Sequence, residues 1–132
     1  MKISVLLDRD LEGHVVFLET GLSETQWDQL WEIEFLRLRD CGLADNTPDN
    51  EVWRYAQMHG LLLITNNRNN KGATSLHATI ARQNTPNSLP VITVSDKESL
   101  RSADYRQRAA DALADIFFYP ENYRGAGRVF IP

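Results

Sequence analysis

Short aliphatic runs, each stopping abruptly at a polar residue, constrain this chain more than any other feature of its sequence. Ile3–Leu7 ends at Asp8, Leu61–Thr65 ends at the polar turn that begins with Asn66, and Pro90–Ser95, carrying Val91, Ile92 and Val94, ends at Asp96. Runs of this length, apolar on both faces, suit strands buried in a parallel sheet. Segments with helical spacing separate them. Leu11, Val15 and Leu18 predict a first helix over about residues 10–20, with Gly21 as its stop. Ser23 and Gln26 have the spacing of a capping box for a short helix carrying Trp27, Leu30 and Trp31. Thr47 and Pro48 open a helix that Gly60 closes, and Ser75–Gln83 forms another. Tyr105, Ala109, Ala112, Leu113, Ile116 and Phe117 mark one stripe of a long last helix. Ile33–Arg39 fits either a strand or a continued helix, and residues 118–132 form an aromatic C-terminal arm or edge strand.

Strands alternating with helices predict an α/β fold: a three-layer sandwich around a mostly parallel sheet of about four strands. At 132 residues, residues 1–132 form one domain. No apolar run approaches the roughly 20 residues that span a bilayer, and the early Asp8 argues against a signal peptide. Cys41 is the only cysteine, which excludes an internal disulfide and a cysteine-based zinc site and points to a reducing cytoplasm. The net charge of −4 conceals an uneven distribution. Residues 1–51 carry 12 acids and 4 bases, whereas Val52–Ser95 has no acid and contains Arg54, Arg68, Lys71 and Arg82. Such a basic middle can attract phosphate; the plain alternative is four solvated side chains.

In parallel α/β sheets, sites form beyond the carboxyl ends of the strands, near the point where strand order reverses. Asp8, Asn66 and Ser95–Asp96 occupy such ends, and Asp49 and Glu51 lie in the first turn of the helix after Pro48. These oxygen donors suit magnesium or manganese, which can activate water and offset phosphate charge. Each also has a structural explanation. Asp8 and Asp96 can cap helices, Asp49 and Glu51 can complement a helix dipole, and Asn66–Asn70 can simply turn. The aromatics near Arg124 and Arg128 suit RNA stacking or, more readily, a packed arm or dimer contact.

The segments Leu6-Leu7-Asp8-Arg9-Asp10-Leu11, Gly42-Leu43, Pro48-Asp49-Asn50-Glu51-Val52 and Gly60–Asn69 together resemble the PIN-like superfamily, nearest to short toxin-like proteins of cyanobacteria and other bacteria. The resemblance covers about the first half of the chain. It implies a PIN-like, metal-dependent endoribonuclease, often the toxin of a toxin–antitoxin pair with a small protein partner. By position, Asp8 and Asp49 match metal-binding acids, with Mg2+ or Mn2+ as cofactor. Asn66 or Asn67, and Asn69, fall where aspartates are usual. An amide coordinates through its oxygen but brings no charge and is no base. Arg68 and Lys71 would contact RNA, with Asp10, Glu51, Asn67 and Asp96 as secondary candidates. A non-catalytic protein-interaction module is the alternative. Asp8-Arg9-Asp10 also resembles the opening motif of haloacid-dehalogenase-type phosphatases, but Glu12 stands where a hydroxyl residue is expected.

Overall fold

Alternation along three adjacent strands divides the core into two halves. The computed structural model describes residues 2–66 and 72–132. In β1 (Lys2–Leu7), Val5 and Leu7 face one side of the sheet and Leu6 the other. In β3 (Leu62–Thr65), Leu62 and Ile64 join Val5, and Leu63 joins Leu6. In β4 (Val91–Val94), Ile92 and Val94 lie on the first side and Val91 on the second. Side chains two residues apart share a face, so strands covered on both sides are largely aliphatic, with the buried threonines Thr65 and Thr93 as the polar residues of β3 and β4. With β2 (Glu32–Leu36) and β5 (Arg128–Ile131), the described strands number five, all parallel, in the order β2-β1-β3-β4-β5. β5 adds one strand to the expected sheet and confirms Arg128–Ile131 as an edge.

Helix α1 (Val15–Glu24) and helix α4 (Ala103–Phe118) cover the Val5 face through Leu18, Ala109, Leu113 and Ile116. Helix α2 (Asp49–Met58) and helix α3 (Leu76–Gln83) cover the Leu6 face through Val52, Trp53, Ala56 and Leu76. The result is the expected three-layer sandwich. Strand order and helix placement also fix the relative hands of the crossovers. The connections through α1, α2 and α3 share one hand. The connection β4-α4-β5 continues outward from β3 but places α4 on the α1 face, so it has the opposite hand. Right-handed crossovers dominate almost completely in parallel sheets, which makes this last connection the topological exception of the fold.

Several local expectations are corrected. Gly21 does not stop the first helix; it lies inside α1, where an added Cβ would sit 2.6 Å from the Arg106 backbone oxygen. Its missing side chain serves the close approach of α1 to α4. The first helix also begins later, because residues Arg9–His14 form a 3-10 turn before α1. Ser23 and Gln26 form no capping box: Ser23 belongs to α1, and Gln26 adopts a left-handed φ of 66° before a 3-10 turn at Trp27–Gln29. The ambiguous stretch resolves as β2 followed by a 3-10 turn at Leu38–Cys41. Thr47 does not cap α2; its hydroxyl donates to the Ala44 carbonyl at 2.6 Å, and extended Pro48 immediately precedes the helix. Edge strand β2 alternates Glu32 and Glu34 with apolar residues, and Glu34 pairs with Lys2 at 3.0 Å. Charges on an edge discourage unwanted strand addition.

Candidate functional site

Strand order places the reversal point at β1 and β3, because the chain leaves β1 toward β2 on one side and returns to β3 on the other. Register then brings the carboxyl ends of these strands together. Leu7 lies opposite Ile64, and the Asp8 amide donates to the Ile64 carbonyl at 2.9 Å, extending the pairing one residue beyond β1. Thr65, the last residue of β3, is wholly buried, and its hydroxyl donates to Asp8 Oδ2 at 2.6 Å. The Arg9 amide donates to Asp8 Oδ1 at 2.8 Å, so Asp8 also caps the turn that follows, as its structural reading anticipated. One half-buried carboxylate is thereby held on both oxygens by rigid neighbours.

A cleft of about 280 Å³ opens over Asp8. Asp10, Asp45 and Asp49 also line it, with Asn46 and Thr47 on the loop before α2. Arg9 reaches across this rim, its Nη1 donating to the Asp45 carbonyl at 3.3 Å. Burial raises the Asp8 carboxyl above its ordinary value; the Thr65 hydrogen bond opposes this, while repulsion from Asp49 and then Asp10 adds to it. Asp8 and Asp49 thus share one cleft and one electrostatic field. A buried acid poised by burial and like charges is the kind of group found at reactive sites.

Asn66 follows Thr65 at the same end of the sheet, and its Oδ1 is buried without a hydrogen-bond partner among the described residues. Such an oxygen is an acceptor held ready for a donor or a cation. Glu51 is exposed in the first turn of α2 and does not line the cleft. Asp96 caps the 3-10 turn at Lys97–Arg101, accepting from the Glu98 amide at 3.2 Å and the Ser99 hydroxyl at 2.7 Å, and not the last helix, whose cap position is Ser102. Asn67, Arg68, Asn69 and Lys71 lie outside the described residues. Sequence reasoning missed Thr65 and Asp45. A threonine in a strand reads as an ordinary β-former, and Asp45 sits in a loop without periodicity.

The donors at this cleft are carboxylate and amide oxygens, a set that fits a hard divalent cation rather than zinc or copper. Among the described residues, no group of three or more His, Cys, Asp or Glu side chains is arranged to hold a metal. Asp8 and Asp49 are the two carboxylates at this cleft that the sequence reading named as ligands. No described helix is long and apolar enough to cross a membrane. No protein-family model matches this chain, and no curated protein or solved structure matches it either.

Proposed function

We propose that this chain is a PIN-like, single-metal ribonuclease domain that binds RNA at the Asp8 cleft, acting as the toxin partner of a small antitoxin-type protein. The observation that carries the reading is the Asp8 carboxylate, fixed by Thr65 and Arg9 at the reversal point of a parallel sheet, in one cleft with Asp49. Asp8 would be the principal ligand to Mg2+ or Mn2+, Asp49 would hold the ion or its water, and Asn66 Oδ1 would orient water or a phosphate-bound donor. When bound, the ion would supply a more acidic water and charge neutralisation at the scissile phosphate. Asp8 and Asp49 together bring enough negative charge for one weakly held ion, which sets the expected metal requirement in the millimolar range. The acid-free stretch Val52–Ser95 adds exposed Arg54 and Arg82 on α2 and α3 as backbone contacts.

The test is cleavage of labelled single-stranded RNA during titration with Mn2+. Asp8→Asn should abolish cleavage while preserving the fold; a folded Asp8→Asn protein with full activity would remove Asp8 from the mechanism. A second reading, a non-catalytic interaction module, is favoured by the amide at position 66 and the absence of a three-acid group among the described residues. No cleavage and no metal-induced shift of Asp8 or Asp49 resonances at millimolar Mg2+ would support that module.

A further inference from the structure

The end of the sheet remote from Asp8 carries a second surface with a different chemistry. In a parallel sheet, connecting helices run opposite to the strands, so α1 and α4 terminate near the start of β2, at the amino ends of the strands. There Leu22, Trp31, Ile33 and Phe35 form the floor of a groove of about 280 Å³. Beside it, Trp27 stacks on Trp31 with centroids 6.2 Å apart, and Phe118 meets both indoles at 5.8 and 4.1 Å. Leu30, Phe118 and Tyr119 extend this floor into solvent, being 60%, 45% and 57% exposed. Contiguous exposed aromatics of this kind mark interaction surfaces.

The rim is acidic. Glu19, Asp28 and Glu32 line the groove, and none of them is in an ion pair among the described residues. Asp111 stands at the same end, accepting from Trp27 Nε1 at 2.8 Å. Arg106, in the first turns of α4, is paired with Glu24 at 2.6 Å and does not line the groove. Lys2 offsets part of the charge of Glu32, and the apolar floor under this net acidic rim repels RNA phosphates and anionic lipid headgroups. A symmetric second copy would set the same acids against each other.

From this charge complementarity we infer that the groove between α1 and β2 binds a partner protein through a cationic segment, whose apolar side chains seat on Trp31 and Phe35 while Lys or Arg side chains meet Glu19, Asp28 and Glu32. The inference does not rest on the nuclease reading, since no residue of the groove belongs to the Asp8 cleft.

Three synthetic peptides of equal length test it on the full chain: one apolar and cationic, one with the same apolar residues but acidic, and one cationic without apolar residues. Binding is followed by shifts of the Trp27 and Trp31 indole resonances. The apolar cationic peptide should shift both saturably. Its Kd should rise roughly tenfold in the double variant Glu19→Lys, Asp28→Lys, and comparably in Leu30→Asp. All three positions are exposed, so the thermal midpoint should stay unchanged and report that the fold is intact. RNA cleavage, where present, should be unaffected. The inference is overturned by equal binding of the acidic peptide, by shifts mapping outside the groove, by no saturable binding at millimolar peptide, or by a concentration-dependent dimer that Leu30→Asp dissolves.

Discussion

Replacing Thr65 by valine removes the hydroxyl that donates to the Asp8 carboxylate. Valine fills nearly the same space as threonine in a strand, and Thr65 is wholly buried, so the change removes a hydroxyl without opening a cavity. The bond lost is short, 2.6 Å, and its acceptor is a carboxylate. Hydrogen bonds to charged groups contribute about 1.5–3 kcal/mol. Asp8 opens onto the cleft, where water replaces part of the lost interaction, so the expected cost falls near the lower end, about 1.5–2 kcal/mol. For a chain of this length that corresponds to a fall in thermal midpoint of about 5–7 °C. The pH dependence gives the sharper signature. Folding raises the Asp8 carboxyl, so the folded protein holds this proton more tightly than the unfolded chain. Stability contributed by this group is therefore greatest at low pH and falls as pH rises from the ordinary carboxylate range through the folded value. Because Thr65 opposes the upward shift, Thr65→Val raises the folded value further, and the cost of the substitution should stay flat through the ordinary carboxylate range, grow between the parent's folded value and the variant's, and then level off. Urea unfolding at a series of pH values measures this, and repeating it in an Asp8→Asn background completes a double-mutant cycle. In that background the cost should shrink to about 1 kcal/mol or less, the value of a neutral hydrogen bond. An identical cost at every pH and in both backgrounds would refute the reasoning, since the hydroxyl would then not be serving an ionised Asp8.

Two further substitutions probe the fold and the site independently. Gly21→Ala should destabilise by roughly 1–3 kcal/mol, since its Cβ would stand 2.6 Å from the Arg106 carbonyl oxygen, even though alanine is favoured over glycine in a helix by about 1 kcal/mol; a urea midpoint at or above that of the parent would show that α1 and α4 need no close approach. Asp49→Asn should lower the Asp8 carboxyl toward its ordinary value by removing a repulsive charge, as read by carbon-detected NMR titration; an unmoved Asp8 titration would break the proposed coupling between these acids.

The legible parts of this fold were those whose physics is local. β1, β3 and β4 are aliphatic on successive residues because both faces are covered, and that pattern is visible without coordinates. β2 was ambiguous because Leu36 and Leu38 alternate with Arg37 and Arg39 as in a strand while Trp31, Phe35 and Leu38 have helical spacing, and the strand ends at Leu36, before that alternation is complete. Gly21 was misread because its role depends on Arg106, a partner distant in sequence. The left-handed backbone at Gln26 carries no glycine or asparagine to announce it. At the site, Asp8 and Asp49 were recognisable from a strand end and a helix start. Thr65 was not, because its hydroxyl acquires meaning only once the register of β1 and β3 sets it beside Asp8.

The reversed sense of the final crossover bears on how the chain is made. α1 leaves the ribosome before α2 and α3, yet the helix that seals its inner face is α4, which is made after both. Until then Leu18 and Leu22 have no helix beside them, and a nascent chain that stops short of Ala103 exposes a sticky flank while its α2–α3 side is already closed. Translational pausing or premature termination before Ala103 would consequently yield a product prone to aggregation or proteolysis, whereas synthesis through Phe118 supplies the helix that covers this flank.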